Sequence, residues 1–239
     1  MTPLAPDILP ELTQGFLHPA DLRREGQGVL VQGGYDLARF RLELFDQLEI
    51  TRPAKLARAI DKRLAEFLAG RAMARVAQGA LGIAGQVAIG DDRAPVWPDG
   101  LAGSISHARG RCACLALPQG QGTPGIDIEA IAHGHALESI LRMTLNDAET
   151  ALIGTASQPD TVATLCFSAK ETLFKALYPV VRRHFGFASA RLQALPRDGV
   201  LRLTLAETLH PDLPQGRSLD LRYDTGKGHV LTWLVHQSP

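Results

Sequence analysis

Three short stretches of this 239-residue chain carry side chains whose type and spacing could do chemistry. The first is GIDIEA, residues 125–130. In a β-strand, positions i and i+2 point to one face, so Asp127 and Glu129 project together while Ile126 and Ile128 point into the protein. Two anions on one face repel unless something cationic sits between them, and that cation can be a structural lysine or arginine or a metal ion. The second stretch is KETLFK, residues 170–175, where Glu171 and Lys175 stand four apart on one helical face with Lys170 beside them. Alone it is the pattern of a solvated helix pair, which contributes little. Beside Asp127 and Glu129, however, Glu171 adds a third carboxylate. Such an oxygen-rich site suits Mg²⁺, which keeps waters and takes its remaining ligands from a phosphate substrate. The third is GSISHARG, residues 103–110. Alternation places Ser104 and Ser106 on one face and His107 at the strand end, where hydroxyl and imidazole can bind phosphate or act as nucleophile and base. A serine next to a histidine is no evidence of a hydrolase triad, which is defined in three dimensions, and a satisfied structural histidine is the competing reading.

The elements that must position these groups follow from periodicity. From Pro53 onward, Leu56, Ile60, Leu64, Phe67, Leu68 and Val76 recur at helical spacing, while Lys55, Arg58, Lys62, Arg63, Arg71 and Arg75 crowd the remaining surface. This predicts a long amphipathic helix with a basic side. LGIAGQVAIG, LAGSIS and RCACLALP then read as short strands bounded by Gly and Pro. After the GIDIEA strand come helices near ALESILRM and NDAETALIG. A third begins near Asp160 as N-cap, runs through TVATLCFSAKETLFKALY and stops before Pro179. ARLQAL, GVLRLTLA, SLDLRY and HVLTWLVH, with turn residues at PRDG and TGKG, predict a sheet that covers this helix. Strands on a long helix in each half make an α+β arrangement.

Composition narrows the class. A 45% hydrophobic and 21% charged chain is ordinary for a globular protein. Lys+Arg and Asp+Glu number 25 each, which argues against broad nucleic-acid binding. Cys112, Cys114 and Cys166 are too few for a disulfide framework, and C-x-C without a second pair is no zinc site, so all three read as core. His133 and His135 read as an ordinary loop, and Trp97 as packing beneath a Pro-rich turn. With no signal peptide and no bilayer-length apolar run, the expectation is a soluble, cytoplasmic protein without a membrane.

Counted jointly, GIDIE, FSAKETLFKAL, WPDGLAGSISH and the segment from YDLARFRLELFDQLEI through DKRLAEFLAGRAMAR resemble the 4′-phosphopantetheinyl transferases, in the branch typified by the enterobactin synthase component D. The resemblance implies a monomer built as a pseudo-dimer of two similar α/β halves, with the active site in the cleft between them. The N-terminal half, 1–122, would hold the phosphate-binding helix and SISH strand, and the C-terminal half, 123–239, the carboxylates and the K-E-x-x-x-K helix. It further implies Mg²⁺ on Asp127, Glu129 and Glu171, with Lys175 as the active-site lysine and Lys170 as a phosphate or substrate contact. His107 with Ser106, Arg63 and Arg71 of R-x-x-E-F-x-x-x-R, and Arg93 before the W-P turn would contact the phosphates of coenzyme A. The implied reaction moves phosphopantetheine from coenzyme A to a serine of an acyl or peptidyl carrier protein and releases 3′,5′-ADP. Rival readings are a Mg²⁺-dependent nuclease, which would have no use for SISH, and a noncatalytic coenzyme A binding module, which would need no three convergent carboxylates.

Overall fold

The chain parts at the GIDIEA strand: in the computed structural model, which describes residues 4–91, 94–226 and 228–237, Met1–Pro124 and Gly125–Pro239 form two compact units. Arg93 and, in the TGKG turn, Lys227 lie outside the described residues. No helix among the described residues is long and apolar enough to cross a membrane.

In the first unit, α1 (Leu9–Leu12), β1 (Asp21–Glu25), β2 (Gly28–Gly34) and α2 (Leu44–Gln47) precede α3 (Asp61–Leu81). After α3 come β3 (Ala88–Ile89), β4 (Pro95–Val96), β5 (Leu101–Ala108) and β6 (Arg111–Pro118). An antiparallel sheet of order β1-β2-β6-β5 packs on α3, and β3 and β4 pair with each other. The β1–β2 pair was not legible in the sequence, because GVLVQGG is a short apolar run without alternation. LGIAGQVAIG yields only β3. Its glycines take up backbone that other residues avoid, Gly82 at φ 71° and Gly85 at φ 159°. The expected helix begins at Asp61 rather than Pro53, with a single 3₁₀ turn over Ala54–Leu56 before it. Its supposed basic side is also corrected. α3 is enclosed along most of its length, and Arg71 and Arg75 are buried among its apolar residues. Arg75 spends its guanidinium on the Leu48 carbonyl and Glu49.

The second unit runs β7 (Thr123–Ala130), α4 (His135–Thr144), α5 (Asp147–Gly154), α6 (Pro159–Val181), β8 (Ala190–Leu192), β9 (Val200–Leu205), β10 (Ser218–Gly226) and β11 (His229–His236). The strands form one sheet of order β7-β11-β10-β9-β8, α6 packs on β11, and α4 and α5 pack on α6. Asn146 and Glu149 close a capping box at the start of α5, the N-x-x-E signature of a helix start. The N-cap of α6 is Gln158, with Pro159 at N1, so Asp160 lies inside the first turn and accepts from His133 Nδ1 at 2.8 Å instead of capping. The helix also continues through Pro179 to Val181. The proline falls in the final turn, one turn before the left-handed Arg182 ends the helix, so it interrupts little of the hydrogen-bond ladder.

One close contact places the carboxylate strand. At Gly125 of β7 a Cβ would lie 2.2 Å from the Thr172 carbonyl oxygen and 2.9 Å from the Ala176 amide nitrogen, both on α6. Strand and helix backbones therefore touch, and only glycine permits it. Gly125→Ala should destabilise the protein by about 1–3 kcal/mol or more through overpacking, read from the midpoint of urea unfolding. A midpoint like that of the unaltered protein would mean the helix can retreat without cost.

Candidate active site

The contact at Gly125 brings GIDIEA and KETLFK together. Lys175 Nζ donates to Asp127 Oδ1 at 2.7 Å and to the Ile126 carbonyl at 3.0 Å. Asp127 is 3% exposed, whereas Glu129, Glu171 and Lys175 are half-buried. Glu171 lies within electrostatic reach of both partners. Burial first, then the charge of Asp127, hold its carboxyl above the usual carboxylate range, while Lys175 and His184 oppose the shift. Two carboxylates from a strand and a helix thus share one region with the Lys175 ammonium, and Glu129 follows Asp127 on the same strand face. The donor set is all oxygen, which fits a hard divalent cation. Among the described residues no three His, Cys, Asp or Glu side chains already stand at metal-holding separation. Three anions gathered without a cation would repel, and Lys175 takes that role at Asp127.

Beside Glu171 opens a cavity of about 270 Å³, lined by Lys170, Phe174, His184, Phe185 and Phe187. Phe174 packs on Phe185 at 5.0 Å and on His184 at 5.4 Å between ring centroids. These aromatic walls were not recognised from sequence, where Phe174 reads simply as helix core; the run HFGF after the helix is the one signal that could have pointed to them.

Lys170 requires a correction. Its side chain and that of Glu149 are each only 2% exposed and pair at 2.8 Å, and Lys170 Nζ also donates to the Thr144 carbonyl at 2.9 Å. Glu149 in turn accepts from the amides of Asn146 and Leu192. The ammonium is therefore consumed in a buried network. It braces α6 against α5 and β8, although Lys170 also lines the cavity.

In the first unit, Arg63 at the start of α3 meets His107 on β5, Nη1 to Nε2 at 3.1 Å. Glu66 stands 3.8 Å from Arg63 and 3.9 Å from His107 Nδ1. The approach is set by Gly70, whose added Cβ would lie 2.8 Å from Ile105 Cγ2, and by the Arg109-Gly110 turn, with φ 41° and 80°, that closes the β5–β6 hairpin just after His107. An arginine and an imidazole side by side are groups that could meet an anion, and Glu66 stands near both. Glu66 was missed from sequence, although it stands at i+3 from Arg63 in the quoted run. Ser106 is buried, and strand alternation turns it to the face opposite His107. Arg71 is corrected as well: it donates to the carbonyls of Val87 and Ala88 at 2.8 and 3.1 Å, lies 4.4 Å from the Phe67 ring, and burial lowers its pKa to about 10. It fastens α3 to the following segment. Trp97 packs its ring directly on Gly103 of β5 rather than beneath a turn. The three cysteines are buried core, with burial pushing Cys112 and Cys166 up to about 12.

Comparison with known proteins finds matches in both units. Residues 52–117 match the family model described as 4′-phosphopantetheinyl transferase N-terminal domain, and residues 123–231 that of the 4′-phosphopantetheinyl transferase superfamily. The chain is 37% identical over 195 residues to 4′-phosphopantetheinyl transferase Svp of Streptomyces mobaraensis, covering 78% of this chain and 77% of that protein. It is 39% identical over 152 residues to enterobactin synthase component D of Salmonella typhi, covering 63% of each chain. To the protein of the same name from Salmonella typhimurium it is 37% identical over 163 residues, covering 67% of each.

Two measurements separate the bracing lysine from the charged centre. Lys170→Met should cost about 3–5 kcal/mol in denaturant unfolding, because it strands the buried Glu149 carboxylate; a loss near zero would show that Glu149 finds water. For Glu171 the raised pKa means that the folded state holds the proton more tightly than the unfolded state does. The ionised carboxylate therefore destabilises the metal-free fold, fully above the folded pKa and not at all below the unfolded value. Glu171→Gln should raise the melting temperature of metal-free protein near pH 7 by about 2 °C, and the gain should vanish below roughly pH 4. A variant less stable than the parent near neutrality would overturn this.

Proposed function

The chain belongs to the 4′-phosphopantetheinyl transferase superfamily and is an enzyme of that class, and we propose that it moves the 4′-phosphopantetheine group of coenzyme A to a serine of an acyl or peptidyl carrier protein, releasing 3′,5′-ADP, with Mg²⁺ as cofactor. The observation that carries this reading is the meeting of Asp127, Glu171 and Lys175 across the Gly125 contact, beside an aromatic cavity. The relatives named enterobactin synthase component D make a siderophore-assembly carrier one candidate partner.

Asp127, Glu129 and Glu171 are the groups that would hold the metal. When bound, Mg²⁺ supplies Lewis-acid polarisation of the pyrophosphate and offsets its charge against the carboxylates. Glu171, whose pKa is already raised, is suited to take the proton of the carrier serine as its oxygen forms the new P–O bond. Lys175, held at Asp127, would neutralise the charge that develops on the departing 3′,5′-ADP oxygen as the pyrophosphate P–O bond breaks. The pantetheine arm, with its branched apolar middle, suits the cavity walled by Phe174, Phe185 and Phe187. Arg63 and His107 would bind the 3′-phosphate; Arg93, outside the described residues, remains a proposed further contact.

The test is incubation of the protein with coenzyme A, Mg²⁺ and an apo carrier protein, read by intact mass as the gain of one phosphopantetheine. Asp127→Asn and Glu171→Gln should each lower the rate by about 10²-fold or more while circular dichroism stays native. Arg63→Ala should mainly raise KM for coenzyme A. A folded Asp127→Asn protein with full activity would sink the metal reading, and an inactive parent protein would sink the transferase reading itself.

A further inference from the structure

The interface behind the charged centre contains three hydroxyls where an apolar core would pack. Ser168, Thr172 and Thr232 are each 0% exposed. Ser168 Oγ lies 2.9 Å and Thr172 Oγ1 2.7 Å from Thr232 Oγ1. Thr172 Oγ1 also donates to the Thr232 carbonyl at 3.1 Å, and Ser168 Oγ to the Asp127 carbonyl at 3.4 Å. One proton assignment satisfies the ladder: Thr172 donates to the Thr232 carbonyl, Thr232 to Thr172 Oγ1, and Ser168 to Thr232 Oγ1, with Asp127 as its second, weaker acceptor. Burying hydroxyls has a cost that bonding offsets, so they add little net stability over methyl groups. What they add is direction. Apolar contacts let a helix settle at many nearby positions along its axis, whereas bonds of 2.7–2.9 Å admit few.

We infer that the Ser168–Thr172–Thr232 ladder is a positioning device that sets the axial and rotational register of α6, and with it the placement of Glu171 and Lys175 against Asp127. The inference rests on the transferase reading above. Ser168 and Thr172 are one turn apart on the helix face that also carries Glu171 and Lys175. On the strand side the ladder ends on the backbone of Asp127 itself, so both halves of the charged centre hang from it. Thr232, on β11 and distant in sequence from both motifs, is the shared partner. Misplacement of reacting groups by about 1 Å costs on the order of 10²-fold in rate, and a helix that slips by less than one residue, a rise of about 1.5 Å, moves them that far.

The experiment compares Thr232→Val, which keeps the shape and removes the hydroxyl, with Thr232→Ser, which restores it. With saturating coenzyme A, Mg²⁺ and apo carrier, Thr232→Val should lower kcat by about tenfold or more while KM for coenzyme A moves by less than about threefold. Thr232→Ser should recover most of kcat. In ligand-free protein, an amine-acylating reagent followed by peptide mass spectrometry should label Lys175 severalfold faster in Thr232→Val than in the parent, since its ion pair with Asp127 is loosened. Parental kcat in Thr232→Val, equal impairment of Thr232→Val and Thr232→Ser, or unchanged labelling of Lys175 would each overturn the inference. If Thr232→Val does not fold, Thr172→Val carries the same measurements. A parent protein that modifies no carrier overturns the transferase reading instead, and the labelling comparison then still decides whether the ladder sets the Lys175–Asp127 pair.

Discussion

Where β7 crosses α6, the two backbones meet with no side chain between them. How near the strand carboxylate comes to the helix charges follows from that contact at Gly125. Two residues further along the strand stands Asp127, and within one turn on the helix stand Glu171 and Lys175, so the approach of main chains fixes how near their charges come. With a methyl group at Gly125 the helix would have to withdraw, and Lys175 would no longer bridge the Asp127 carboxylate and the Ile126 carbonyl. Glycine here serves close packing and not an unusual backbone angle.

Two lysines of one short motif show how surroundings decide what a charge does. Lys170 and Lys175 have the same chemistry, yet Lys170 is sealed against Glu149 with all its donors directed at protein oxygens. Such a pair resists disruption because either member alone would be a buried, uncompensated ion. Lys175 instead keeps part of its surface open and shares Asp127 with a region where Glu171 is reluctant to ionise. The first is committed to holding α6 in place. The second stays partly accessible while it pairs with Asp127.

The same division appears among the arginines of α3. Arg71 and Arg75 reach backbone carbonyls and act as struts for the segments around the helix, which explains how a helix enclosed on most sides can contain guanidinium groups at all. Arg63, in the first turn of the helix, remains about half-exposed and meets His107. A helix start is also where the macrodipole favours an anion. Three residues of identical charge thus divide into two struts and one group able to meet a ligand.

Much was legible in the sequence because it depends on local periodicity and residue chemistry. The strands of GIDIEA and SISH, the helix carrying KETLFK, the helix over NDAETALIG and the strands of the tail all follow from spacing and turn residues, and the joint occurrence of the motifs pointed to the family. What the sequence could not decide is which charges the fold would enclose. Helical spacing puts Arg63 and Arg71 on similar footing, and KETLFK presents Lys170 and Lys175 as equals; only packing against β5, α5 and β8 separates accessible groups from struts. Glu66, Glu149 and Thr232 escaped notice for the same reason. Their partners are set by which segments touch, and burial and hydrogen-bond pairing between segments distant in the chain arise only when the tertiary structure forms.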